Sequence, residues 1–218
     1  RLAHRNGAWF VVDGAQSFGA TRGEASGISH GVMATTSFYP SKPLGAYGDG
    51  GAVFCDDDSL ASVLRSIRNH GAGDDVYVHE RIGLTGRLDT IQAAALLVKL
   101  KHLDTWNQLR QEVAARYHSL FTERNSQLGI GLPSTKENCT HVYNQYVVNL
   151  GNRNQTQQFL TERGVGTGVY YPRPLHLQEC FAYLGYQPGD LPVSEAACDR
   201  VLALPMFPAL SLAEQEIV

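Results

Sequence analysis

Ala8-Trp9-Phe10-Val11-Val12-Asp13 is an unbroken apolar run closed by a carboxylate. A run this short and this apolar predicts a strand buried on both faces, as in a parallel sheet covered by helices. Working outward, Gly14, Gly19 and Gly23 punctuate a loop. Residues 33–38 (MATTSF) then read as a second strand and 51–55 (GAVFC) as a third. Asp56-Asp57-Asp58 predicts the N-terminal cap of a helix over 60–68, with Leu60, Val63, Leu64 and Ile67 on one face. The strand-and-helix order is that of an α/β domain.

Residues 69–86 hold four glycines and read as loop, and 88–103 predict a helix that is apolar almost all round. Such a helix belongs in a core or against another subunit. Residues 104–121 continue as a charged, amphipathic helix that leaves the first domain. Beyond Val142 the spacing predicts a strand over 143–148, a helix over 155–163 stopped by Gly164, and a strand over 169–171. Pro172 and Pro174 force an extended turn, a helix follows over 193–202, and another begins at 211. The division expected is 1–105, part of a large domain, and 106–218, a small α+β domain.

The 218 residues carry a net charge of −3 and no Lys/Arg run, which gives no electrostatic footprint for nucleic acid. No apolar stretch is long enough to predict a membrane span. Cys55, Cys139, Cys180 and Cys198 form no CxxC pair, so they read as reduced thiols of a cytoplasmic protein, with no disulfide framework and no metal site. The chain starts at Arg1 and enters an apolar strand within a few residues, which suggests that it begins inside a larger domain.

Ligands of open α/β sheets bind beyond the carboxyl ends of the strands. Asp13 closes the first strand, Gln16 lies three residues on, Ser37 closes the second, and Lys42 follows in Ser37-Phe38-Tyr39-Pro40-Ser41-Lys42-Pro43-Leu44-Gly45-Ala46-Tyr47-Gly48-Asp49-Gly50-Gly51. A lysine amine can form a Schiff base with an aldehyde cofactor or shuttle protons. A buried carboxylate keeps a pyridine nitrogen protonated, which makes a pyridoxal ring an electron sink. Ser37 suits a phosphate, and Gln16 could donate to the ring's phenolic oxygen. The plainer readings stay open: Asp13 as a turn residue, Lys42 as a solvated loop lysine, and glycines that serve only the turn. The glycines follow the lysine, so this is no nucleotide P-loop.

VVDGAQSFGA, SFYPSKPLGAYGDGG, RNHG, GRLDTIQAA and YYPRPLHLQ, in that order, resemble the DegT/DnrJ/EryC1/StrS family of sugar aminotransferases. The resemblance implies a fold-type-I pyridoxal-phosphate transferase, similar to aspartate aminotransferase, generally a homodimer. It implies transfer of an amino group, usually from glutamate, to a keto group of a nucleotide-linked sugar. By the same resemblance Lys42 matches the lysine of the internal Schiff base, Asp13 the partner of the pyridine nitrogen, and Gln16 the residue over the phenolic oxygen. Ala15 matches the small residue on the ring face and Ser37 a phosphate ligand. The family's dehydratase branch has histidine at the lysine position, so Lys42 argues for transamination.

Where the family commonly has an asparagine reaching the neighbouring subunit's phosphate site, this chain has Thr85, which can still donate a hydrogen bond. Tyr39, Tyr171 and His176 are candidate substrate contacts, with core packing or a structural role as the competing view. Arg87 and Asp89 could also reach substrate, although capping of the following helix suits Asp89 better. The segment YYPRPLHLQ leans toward enzymes making 3-amino sugars for bacterial surface polysaccharides. Family members are longer, and their N-terminal Gly-Thr phosphate loop and ring-stacking aromatic are not found here. The alternative is a truncated product acting at most as a binding or dimerisation module.

Overall fold

The computed structural model of the protein describes residues 2–124 and 129–218. They form two units, Arg1–Asn107 with Glu137–Val142, and Gln108–Lys136 with Tyr143–Val218.

The first unit contains α1 (Leu2–Arg5), β1 (Val11–Asp13), β2 (Thr21–Arg22), β3 (Ala25–Ser26), β4 (Met33–Ser37), β5 (Gly51–Phe54), α2 (Asp58–Arg68) and α3 (Thr90–Leu100). The start of α4 (Leu103–Arg124) also lies in it. The main sheet has the order β1-β4-β5, and β2 and β3 pair as a small antiparallel ribbon. β1 and β4 run parallel, with Val11 opposite Met33 and Asp13 opposite Thr35. β5 runs antiparallel to β4, so the sheet is mixed rather than parallel throughout. Residues 38–50 contain no helix, and a parallel return needs a crossover, usually helical.

The expectation that residues 8–13 are buried on both faces is corrected. Only Val11–Asp13 are strand, and Trp9, Phe10 and Val11 are exposed. β1 is an edge strand with one neighbour, and the described residues cover little of its surface. Asp57 caps α2 by accepting the Leu60 N–H at 2.9 Å, as the aspartate triplet predicts. The helix expected over 88–103 is shorter, and α4 begins at Leu103. Leu96 is its one fully buried residue, while Ile91, Leu97 and Val98 are exposed among the described residues. Asp89 stands at the N-cap of α3 but makes no side-chain capping bond. The core here is Phe38, Leu44, Ala46, Leu96 and Leu103.

The second unit holds β6 (Tyr146–Asn149), α5 (Arg153–Glu162), α6 (Pro192–Arg200), β7 (Val201–Leu204) and α7 (Leu212–Ile217). β6 and β7 pair antiparallel, with Tyr146 opposite Leu204. The helix expected to run to 202 ends at Arg200, because Val201–Leu204 are taken by the ladder with β6. Residues 169–171 are not a strand. Only Gly168 bridges Ala203, and the prolines that follow have no N–H to extend a ladder. Val113, Tyr117, Tyr146, Val148, Leu160 and Leu202 lead the core of this unit. Ser211 and Glu214 form a capping box on α7, whose Gln215 donates to the Val113 carbonyl at 2.9 Å.

All four cysteines are free. Among the described residues no helix is long and apolar enough to cross a membrane, and no three His, Cys, Asp or Glu side chains are grouped to hold a metal.

Candidate active site

Of the residues singled out in the first unit, Asp13 and Ser37 end β1 and β4, and Ala15, Gln16 and Lys42 lie on the turns that follow these two ends. Asp13 is the last residue of β1, and its Oδ1 accepts the Ala15 N–H at 3.0 Å, which fixes the turn that carries Ala15 and Gln16. In register Asp13 faces Thr35, so both side chains leave the same side of the sheet, and Ser37 leaves that side too. Two further bonds tie the turn to β4: Gly14 N–H donates to Thr35 O at 2.8 Å, and the buried Thr36 hydroxyl donates to Gly14 O at 3.3 Å. A side chain at Gly14 would press on Ile28 and the Thr35 carbonyl.

Ser37 ends β4, and its Oγ accepts the Tyr39 N–H at 3.2 Å. The chain then turns, with Lys42 N–H donating to Tyr39 O at 2.9 Å and Ala46 N–H to Phe38 O at 2.7 Å. Leu44 is 4% exposed and Ala46 is 1% exposed. Full burial of a leucine contributes about 1.5–3 kcal/mol, so the loop is anchored by its own core residues. Lys42 rides on this anchored loop, half-buried, and among the described residues its amine has no hydrogen-bond or ion-pair partner.

α3 holds the same loop from the other end. Lys99 Nζ donates to Gly45 O at 2.6 Å and stands 4.7 Å from the Tyr47 ring centroid, while Gln92 accepts the Tyr47 N–H at 2.8 Å. Gln92, Lys99 and Thr36 were not singled out from the sequence. The signal for the first two was there: they are polar residues in an otherwise apolar helix.

Thr85 lies on the 69–86 loop, bridged to Asn69, with its hydroxyl 3.4 Å from His70 Nδ1. Arg87 donates to Asn69 Oδ1 at 3.2 Å, a contact within that loop region. Tyr39 is exposed. In the second unit Tyr171 is exposed and borders a groove of 460 Å³. His176 is different: it is 8% exposed, with Nε2 3.0 Å from Glu195 Oε1. Its ring serves the interior of its own unit.

The model of the DegT/DnrJ/EryC1/StrS aminotransferase family matches residues 1–218. The chain belongs to that family. This DegT/DnrJ/EryC1/StrS member is 43% identical, over all of its length, to the UDP-2-acetamido-2-deoxy-3-oxo-D-glucuronate aminotransferase of Pseudomonas aeruginosa. It is also similar to the crystal structure of S. venezuelae DesV in complex with a ketimine intermediate, with a TM-score of 0.91 and 39% identity over 99% of this chain and 57% of that one. A third likeness is to ntda of Bacillus subtilis with bound cofactor PMP, with a TM-score of 0.83 and 28% identity over 99% of this chain and 50% of that one. The fold is thus the α/β fold of these aminotransferases. The chain spans 58% of the length of curated relatives that it matches.

Proposed function

We propose that the protein carrying this chain is a pyridoxal-phosphate-dependent aminotransferase that delivers an amino group, with glutamate as donor, to a keto group of a nucleotide-linked sugar. The observation that carries this reading is that Asp13 and Ser37 end two paired parallel strands and Lys42 stands in the anchored loop just beyond Ser37, in a member of this family. The donor set fits the cofactor: a carboxylate for a pyridine nitrogen, a hydroxyl for a phosphate and an amine for an aldehyde.

Pyridoxal phosphate, when bound, supplies an electron sink for charge developing next to the transferred nitrogen. The rest is the work of this chain. Asp13 has one oxygen engaged by Ala15 N–H, which leaves Oδ2 for the ring nitrogen. Ser37 Oγ accepts from Tyr39, so its own O–H is free to donate to phosphate. Ala15 and Gln16, on the turn that Asp13 fixes, take the ring face and the phenolic oxygen. Lys42 would hold the cofactor's aldehyde through Nζ and, as a free amine, would take up and return the transferred proton at Nζ. One positioned amine serving both transfers supplies much of the rate.

Tyr39 and Tyr171 are the proposed substrate-side aromatics, and Thr85 a phosphate contact to a second subunit of a homodimer. The Pseudomonas relative acts on a 3-oxo sugar by its name, which supports a ketone at C3 here. Free thiols throughout fit a reducing compartment, so we place the reaction in the cytoplasm.

Lys42→Ala in the complete protein tests this. The expected result is loss of the visible, borohydride-reducible absorbance of the bound cofactor, with the fold retained. A reducible chromophore that survives in the variant would overturn the assignment.

A further inference from the structure

Glu195 on α6 gathers one side chain, His176, and two backbone N–H groups, Gly189 and Leu191. Its Oε1 lies 3.0 Å from His176 Nε2, and both of its oxygens accept the Gly189 N–H, at 3.0 and 2.9 Å. It also accepts the Leu191 N–H at 3.2 Å. Hydrogen bonds from Gly189 first, then from His176 and Leu191, hold its carboxyl below the usual glutamate range. His176 is sealed on another side by the Tyr186 ring, edge-on at 5.9 Å between centroids.

His176 belongs to a short 3-10 turn, Leu175–Leu177, that follows Tyr170, Tyr171 and Arg173 directly. Those residues form one wall of the 460 Å³ groove, and Ser194 and Cys198 of α6 form the other. Arg173 is tied within its own segment, donating from Nε to Leu177 O at 2.8 Å. Among the described residues, the His176–Glu195 contact is the one side-chain hydrogen bond between this segment and α6. The prolines at 172 and 174 fix φ but remove two N–H donors, so the backbone cannot supply a substitute there.

We infer that His176 and Glu195 are a positioning pair that sets the wall of this groove and the placement of Tyr171. His176 then acts through Glu195, not by touching the sugar. The functional half of this inference rests on the reading of Tyr171 as a substrate-side residue, while the structural half does not.

The test uses the complete protein with His176→Phe, which keeps the contact with Tyr186 but cannot hydrogen-bond, and with Glu195→Met, which keeps the apolar stem but can accept no hydrogen bond from His176. Amide exchange over 170–177 is expected to speed up roughly tenfold in both, the scale of losing one charge-assisted hydrogen bond. The KM for the nucleotide-sugar ketone is expected to rise in both, while keto-acid formation from the amino donor alone and the bound-cofactor absorbance stay as in wild type. Unchanged exchange over 170–177 in both variants overturns the inference. So does a rise in KM confined to His176→Phe, since that marks direct contact with substrate. Wild-type protein that turns over no nucleotide-sugar ketone defeats the aminotransferase reading instead, and the exchange data still decide the pair.

Discussion

Lys99 Nζ donates to the Gly45 carbonyl at 2.6 Å, and through that bond α3 grips the loop three residues beyond Lys42. The amine also stands over the Tyr47 ring, so one side chain holds two points of the loop. Lys99→Met keeps much of the apolar stem and deletes both contacts. Hydrogen bonds to charged groups are worth about 1.5–3 kcal/mol, and partial exposure brings the expected loss to about 1 kcal/mol. On a chain of this size that is about 2–4 °C in melting temperature. Titration with pyridoxal phosphate should show weaker retention of the cofactor, and identical melting and retention in the variant would show that α3 does not hold the loop.

Gly45 makes a sharper demand on the same loop. A Cβ there would land on the Pro40 carbonyl, a backbone atom that cannot rotate away. Gly166 has nothing within 4 Å of the same position and serves as the control. Gly45→Ala is expected to destabilise the first unit by about 1–3 kcal/mol, the range for strain in a packed site, with a parallel loss of cofactor retention. Gly166→Ala should change stability by less than about 0.5 kcal/mol. Denaturant midpoints compare the two directly.

What could be read from the sequence was what is local. The β4 and β5 runs, the Asp57 cap and the amphipathic pattern of α2 are decided by neighbours within a few residues, and each emerged close to its expected bounds. The rest depended on distant partners. Val201–Leu204 continue a helical pattern and become strand only because β6 is there to pair with them. Gln92 and Lys99 meet their loop partners across 45 and 54 residues, so no spacing rule connects them. His176 shows the same blind spot in the candidate site. A histidine after a proline-rich turn leaves a substrate contact and a structural role both open in the sequence, and nothing in the spacing points to Glu195, 19 residues away.

Two tyrosines in the core of the second unit offer a paired test of buried hydroxyls. Tyr117 is 1% exposed and its O–H donates to Pro205 O at 3.1 Å. Tyr146 is 0% exposed, and among the described residues its hydroxyl has no partner. Burial, with Tyr143 beside it, pushes the Tyr146 hydroxyl up to about 12, so it stays a neutral O–H, and that O–H is buried without a partner among the described residues. Removing an unsatisfied buried hydroxyl relieves desolvation, whereas removing a bonded one leaves a carbonyl orphaned. Tyr146→Phe should therefore be neutral or stabilising by up to about 1 kcal/mol, and Tyr117→Phe destabilising by about 1–2 kcal/mol. Equal losses in the two variants, measured by denaturant unfolding, would refute the distinction.

The Glu195 carboxyl carries a pH dependence whose sign can be worked out. Its folded-state pKa lies below the ordinary value of 4.5, chiefly because Gly189 N–H donates to it and then because His176 and Leu191 do. A carboxyl depressed on folding binds its proton more readily in the unfolded chain, so its stabilisation is complete above the unfolded value. It is lost as pH falls from about 4.5 through the depressed folded value. Glu195→Gln removes the charge at every pH, so the variant should be less stable than wild type at neutral pH. The gap should close on acidification below about 4.5 as wild type protonates. Unfolding midpoints of both proteins at pH 7 and across the acid range measure this. A gap that stays constant, or widens toward acid, would mean that Glu195 is held by packing and not by its charge.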